Sequence, residues 1–166
     1  MKPEEEQAFL KKMLAMAAGE VRGRASHQAD AGKSEGISAR TSKPAAQPEF
    51  QNLQLHVFDL SNGNEPVLVL TANATIPSAH TDLQYIVALV ARDDIYGELH
   101  KVFAQTTDNQ HLDVSPKYDL IDAVDADGDG RGELLFRITS ENGSAFGVYR
   151  LIGDKLWPLF EGKPGK

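Results

Sequence analysis

The chain contains no cysteine. Disulfides, thiolate metal sites and thiol nucleophiles are therefore excluded, and no thiol marks the redox compartment. Long hydrophobic runs are also missing, since no apolar stretch approaches the ~18–20 residues that a membrane-spanning helix needs. The opening Met-Lys-Pro-Glu-Glu-Glu lacks the basic segment and following apolar stretch of a secretory signal. Basic charge is in short supply. Residues 1–50 carry 8 Lys and Arg against 7 Asp and Glu, whereas residues 51–166 carry 9 against 17. An acidic body repels phosphate backbones, so nucleic acid is not an expected partner. No glycine-rich phosphate loop is present, and no serine lies in a nucleophile-elbow context. What remains is 166 residues, 41% hydrophobic and 25% charged with a net charge of −7, the composition of a globular domain with some tail.

Three segments are expected: a helix in residues 1–20, a disordered linker in 21–48 and a β-domain in 49–162. Pro3 suits the first turn of a helix, and Glu4, Glu5 and Glu6 complement its positive end. Phe9, Met13 and Met16, flanked by Leu10, Leu14 and Ala17, form one apolar face, and Gly19 reads as a stop. That face is expected to dock on the body or to self-associate. Lys11 and Lys12 are mixed with glutamates, which argues against a membrane-surface helix. Residues 21–48 offer only Val21 and Ile37 as large aliphatics, too little to offset the entropy of ordering. Their Arg22, Arg24, Lys33, Arg40 and Lys43 have no aromatics among them and read as solubilising.

From Phe50 onward the hydrophobic period becomes two. Strands are predicted around residues 53–57, 67–72, 84–91, 96–104, 118–124, 133–139, 146–152 and 156–160. Asn142-Gly143 predicts a type I′ hairpin. Tyr149, Phe146, Trp157 and Phe160 near the end of the chain read as core aromatics. The expected fold is mainly β: two four-stranded antiparallel units, each the size of a propeller blade, packed as a sandwich or a distorted barrel.

Residues 125–133, Asp-Ala-Asp-Gly-Asp-Gly-Arg-Gly-Glu, are the most specific signal. Alternating carboxylates with glycines between them suit a backbone that wraps one hard cation, and Ca²⁺ takes six to eight oxygens in a forgiving geometry. An EF-hand needs a bidentate Glu at its twelfth position, where this chain has Phe136. The last carboxylate falls instead at the ninth position, Glu133, and a strand follows. The stretch resembles the FG-GAP and VCBS-type repeats, including the calcium loops of integrin α-subunit β-propellers, in which a D-x-D-x-D-G-x-x-D loop joins two strands. The resemblance implies Ca²⁺ held by Asp125, Asp127, Asp129 and Glu133, with the Arg131 carbonyl as a backbone ligand. Gly128 and Gly130 are the turn glycines, and Glu133 departs from the family's usual Asp by one methylene.

A gapless alignment at an offset of 66 residues places residues 58–68 on 124–134, which suggests an internal duplication of 50–107 and 117–162. In the first unit Asp59 survives, whereas Ser61, Gly63 and Val67 replace the other carboxylates, so that loop is a degenerate copy. Two groups of residues resemble catalytic arrangements. Asp119, Asp122 and Asp125 suggest a carboxylate pair, but strand alternation separates Asp122 from Asp125. His111 and Asp113 read as a surface pair, and the other histidines, His27, His56, His80 and His100, lack metal-site spacing. The expected function is a non-enzymatic, calcium-stabilised β-domain that mediates interaction with a protein or glycan ligand. The alternatives are a calcium-dependent hydrolase or carbohydrate-active domain, and a small docking module of an envelope assembly. The weak affinities typical of extracellular calcium modules favour an extracytoplasmic setting.

Overall fold

The computed structural model describes residues 2–31, 46–77 and 83–163. One helix, α1 (Pro3–Ala31), precedes eight strands: β1 (Glu49–Phe58), β2 (Val67–Thr75), β3 (Gln84–Asp93), β4 (Leu99–Asp108), β5 (Lys117–Val124), β6 (Glu133–Ser140), β7 (Gly143–Ile152) and β8 (Lys155–Glu161). They form two antiparallel sheets, ordered β1-β2-β3-β4 and β5-β6-β7-β8. The sheets keep their edges and stack as a sandwich, not a barrel. Among the described residues no helix is long and apolar enough to cross a membrane.

The helix adds a third layer. Leu68, Leu70, Ala72 and Ala74 of β2 cluster with Tyr85, Val87, Leu89 and Ala91 of β3 and with Met13, Ala17 and Val21 of α1. Val67, Val69 and Val90, on the opposite face of the same strands, pack with Leu134, Phe136 and Tyr149 of the second sheet. The first sheet is thus covered on both faces, which is why β2 and β3 read as near-continuous apolar runs rather than clean alternation.

The helix also runs further than expected. Gly19 does not end it, and residues 21–31, assigned from composition to the linker, are helical. Two interior glycines, Gly19 and Gly23, cost about 1 kcal/mol each relative to alanine. Met13 and Val21 are fully buried, and each such side chain contributes about 1.5–3 kcal/mol. Packing therefore outweighs propensity. The residues Met13, Ala17, Val21 and Ala25 form a stripe at intervals of four that faces the sheet throughout. Residues 32–45 of the expected linker, with Lys33, Ile37, Arg40 and Lys43, lie outside the described residues, as do Ser78 and His80.

Smaller corrections concern turns and aromatics. Tyr96, Gly97 and Glu98 are not in a strand: the Asp94 carboxylate accepts the N–H groups of Tyr96 and Glu98 at 2.8 and 2.9 Å and folds 94–98 into a turn, so β4 begins at Leu99. The β6–β7 ladder closes at Ser140 and Gly143, making Glu141 and Asn142 the turn residues. Asn142 is not among the residues at positive φ, so the turn is not type I′. Of the four late aromatics only Tyr149 is core. Phe146, Trp157 and Phe160 are 52%, 52% and 58% exposed, because they lie on the face of the second sheet that none of the described residues covers.

Candidate metal centre

The β5–β6 loop is organised by its first carboxylate. Asp125 accepts the N–H of Gly128 at 2.7 Å through one oxygen and that of Gly130 at 3.0 Å through the other. This curls the backbone around the side chain and needs left-handed residues, which Gly128 and Gly130 provide at φ 80° and 82°. Asp127 and Asp129 each accept an N–H two residues on, from Asp129 and Arg131. Glu133 then opens β6 with its side chain wholly buried, one oxygen accepting the Ala126 N–H at 2.8 Å.

Asp125, Asp127 and Glu133 bring carboxylate oxygens within 4.8 Å of one another. All are hard oxygen donors of the kind Ca²⁺ takes, so this part of the expected ligand set fits a cation. Asp129 stands apart from that group and turns to Arg150 at 3.2 Å. Nothing in the structure distinguishes the Arg131 carbonyl as a ligand.

Arg150 is the residue that sequence reading missed. It lies directly across the ladder from Glu133, one step beyond the Leu134–Tyr149 pair. Its Nε and Nη2 donate to Glu133 Oε1 at 2.9 and 2.6 Å, and Nη2 also reaches Asp127 at 2.8 Å. Hydrogen bonds to Glu133 and then Asp127 hold the guanidinium well above the ordinary arginine range. At Asp127 desolvation pushes the carboxyl up, but the bonds from Arg150 and the Asp129 N–H outweigh it and leave it lowered. Four carboxylates in nine residues would otherwise repel one another. The signal was present in the register: hairpin pairing across Glu141 and Asn142 sets residue 150 opposite residue 133.

The first loop has a matching construction. Asp59 accepts the N–H groups of Gly63 and Asn64 at 3.1 and 3.2 Å, and Asn62 and Asn64 take φ of 55° and 56° at the positions that align with Gly128 and Gly130. Phe58 pairs with Val67 as Val124 pairs with Glu133. Arg92 lies opposite Val67 as Arg150 lies opposite Glu133, but with valine there it pairs with Asp154 at 2.7 Å instead. Asn62 Nδ2 donates to the Gly130 carbonyl at 2.9 Å and the Gly132 N–H to the Leu60 carbonyl at 2.8 Å, tying the two turns together. A Cβ on Gly132 would stand 2.9 Å from Leu60 Cδ2, which explains the close approach there. Ser61 and Gly63 bring no carboxylate to this loop. Between the turns lies a cleft of about 140 Å³ lined in part by Ser61, Arg92, Arg131 and Arg150.

Other candidates resolve differently. Asp119 is engaged by Lys117 at 2.9 Å and Arg137 at 3.6 Å, and Asp122 accepts the Ala123 N–H, so neither joins Asp125. His111 pairs not with Asp113 but with buried Asp108, Nδ1 to Oδ1 at 2.5 Å. Gln28 of α1 donates to the other Asp108 oxygen at 2.6 Å, fastening the end of the helix to β4. Burial pushes the Asp108 carboxyl up, and bonds from His111, the Gln110 N–H and Gln28 overcome it, leaving it below its ordinary value. A second ligand-type group, Asp94, Glu98 and His100, sits on the β3–β4 turn. There the backbone N–H of Glu98, followed by the His100 bond, lowers Asp94 to about 2.

No protein-family model, no curated protein and no solved structure matches the chain.

Proposed function

We propose that this chain is a non-catalytic β-module whose β5–β6 loop takes Ca²⁺ and whose work is interaction with a protein or ligand. The observation that carries the reading is the convergence of Asp125, Asp127 and Glu133 at the end of a loop already curled by two left-handed glycines. A preformed loop of hard oxygen donors loses little entropy on taking an ion. The resemblance to FG-GAP and VCBS-type loops supports the same assignment. So does the parallel construction of the first loop, which we take as the relic of a duplication that lost its carboxylates. Arg150 serves as the internal counter-charge when no ion is bound. Calcium has to displace it from Asp127 and Glu133, which predicts weak, millimolar-range binding of the extracellular kind.

The test is a calcium titration read by thermal melting and by the fluorescence of Trp157, the sole tryptophan and the cross-strand partner of Arg150. Millimolar calcium should raise the melting temperature and change the emission, EGTA should reverse both, and magnesium should do less. An unchanged melting curve and emission at 10-fold higher calcium than the expected range, on the order of 10 mM, would leave the loop as an Arg150-neutralised acidic turn.

A further inference from the structure

Arg92 and Arg150 hold matching places in the two sheets, Arg92 opposite Val67 on β3 and Arg150 opposite Glu133 on β7. The Asn62–Gly130 and Gly132–Leu60 bonds draw the two turns together. Both arginines therefore line one cleft of about 140 Å³, joined there by Arg131 from the β5–β6 loop. Leu60, Val67 and Leu151 supply apolar walls, which keep the local dielectric low and focus the field of the three cations. Such a grouping stands against the chain's net charge of −7.

The three guanidiniums are not equally neutralised. Arg92 is held only in part: Asp154 takes Nη2 at 2.7 Å and half-exposed Glu65 stands 3.9 Å from Nη1. Its Nε is buried with no acceptor among the described residues, and a buried donor left unpaired is unfavourable. Arg131 is exposed and makes no ion pair among the described residues. Arg150 is fully engaged, by Glu133 at 2.6 Å, Asp127 at 2.8 Å and Asp129 at 3.2 Å. Asp127 and Glu133 are also the carboxylates that converge with Asp125 for a cation. Once they turn to an ion, Arg150 loses its strongest partners while still lining the cleft. The carboxylates left beside it, Glu65 and Asp154, both belong to Arg92. Three guanidiniums then face two carboxylates, and one positive charge is unmet. A planar guanidinium is best met by a planar carboxylate, through two parallel hydrogen bonds.

We propose that the cleft between the two turns binds a ligand carboxylate, such as an acidic side chain, and that calcium switches it on by releasing Arg150. The switch rests on the calcium reading of the β5–β6 loop; the site itself rests on the three arginines. Linkage makes the effect reciprocal, so the carboxylate tightens calcium by the same factor as calcium tightens the carboxylate.

The test is an acetate titration followed by the Nε–H resonances of Arg92, Arg131 and Arg150, with chloride replaced to hold ionic strength constant. In calcium the wild type should show saturable shifts in all three, and EGTA should weaken binding about tenfold. The double variant Asp127→Asn with Glu133→Gln frees Arg150 without an ion and should bind acetate in EGTA as the wild type does in calcium. Should that variant fail to fold, Asp127→Asn with Asp129→Asn, both at exposed positions, loosens the same hold and should give a smaller gain of the same sign. Arg92→Gln should lose acetate binding yet keep the calcium-induced rise in melting temperature. A wild type that melts higher in calcium but shows no saturable acetate response overturns the site and leaves the cation reading intact. If calcium leaves the melting curve unchanged, the cation reading fails and the freed-Arg150 variants decide: acetate binding upholds the site, and none overturns it. Binding undiminished in Arg92→Gln also overturns it, since the anion would then use another surface.

Discussion

Replacing Arg150 with methionine separates the two ways in which the acidic loop can be neutralised. Methionine keeps much of the apolar stem of the side chain, so the change removes charge and hydrogen bonds with little loss of packing. Glu133 is wholly buried, and Arg150 is the cation that touches it among the described residues, at 2.6 Å. Breaking a buried pair by removing one partner costs about 3–5 kcal/mol, because the remaining charge is left uncompensated. The lower end applies, since the Arg150 side chain retains 19% exposure and Asp127 and Asp129 face solvent. For a chain of this size about 3 kcal/mol corresponds to a fall in melting temperature of roughly 6–12 °C. That is the expected result in EGTA. In calcium the ion no longer competes with a guanidinium, so it should bind the variant more tightly than the wild type and recover most of the loss. A hundredfold excess over Kd alone contributes about 2.7 kcal/mol. The assay is paired thermal melts of the two proteins across a calcium series. A deficit of the same size at every calcium concentration would refute the idea that the carboxylates exchange arginine for an ion. A loss below about 1 kcal/mol in EGTA would show that the Glu133–Arg150 pair behaves as a surface pair.

Asp127→Ala should abolish the calcium-induced rise in melting temperature, whereas Glu133→Asp, the residue usual in the resembling repeats, should retain it in the same titration. Gly128→Ala places a Cβ at φ 80° and should cost about 1–2 kcal/mol by chemical denaturation, with no neighbour within 4 Å to add a clash. The lowered Asp108 carboxyl stabilises the fold at pH above the ordinary aspartate range, near 4, and that contribution disappears as pH falls through the depressed folded value. Asp108→Asn should therefore flatten the acid side of the stability profile measured by urea unfolding at stepped pH. Met13→Ala should cost about 2–5 kcal/mol, and deleting residues 1–31 should give an aggregating product, because the face of β2 and β3 that α1 covers would be open.

Much of the architecture was legible in local sequence. Period-two alternation and turn residues identified eight strands in the right order, and the acidic nonapeptide placed the loop between β5 and β6. These features depend on near neighbours along the chain: the pleat sets the period, and a carboxylate followed by glycines curls its own backbone. At the offset of 66 residues Asn62 and Asn64 fall on Gly128 and Gly130, and all four stand at positive φ. What the sequence did not disclose depended on partners distant along the chain. Gly19 looked like a helix stop because propensity is local, but the buried Met13, Ala17 and Val21 carry the helix past it once a sheet lies beneath them. Trp157 and Phe160 looked like core because aromatics in strands are usually covered; which face of the outer sheet they occupy is decided by register, and among the described residues no layer reaches that face. Arg150 reaches the acidic loop from 17 residues beyond Glu133, and Asp108 meets Gln28 across 80 residues. Composition and period determine which residues can be strand, turn or ligand. Only the tertiary structure decides which charges are buried together, because burial and pairing belong to surfaces brought into contact by folding.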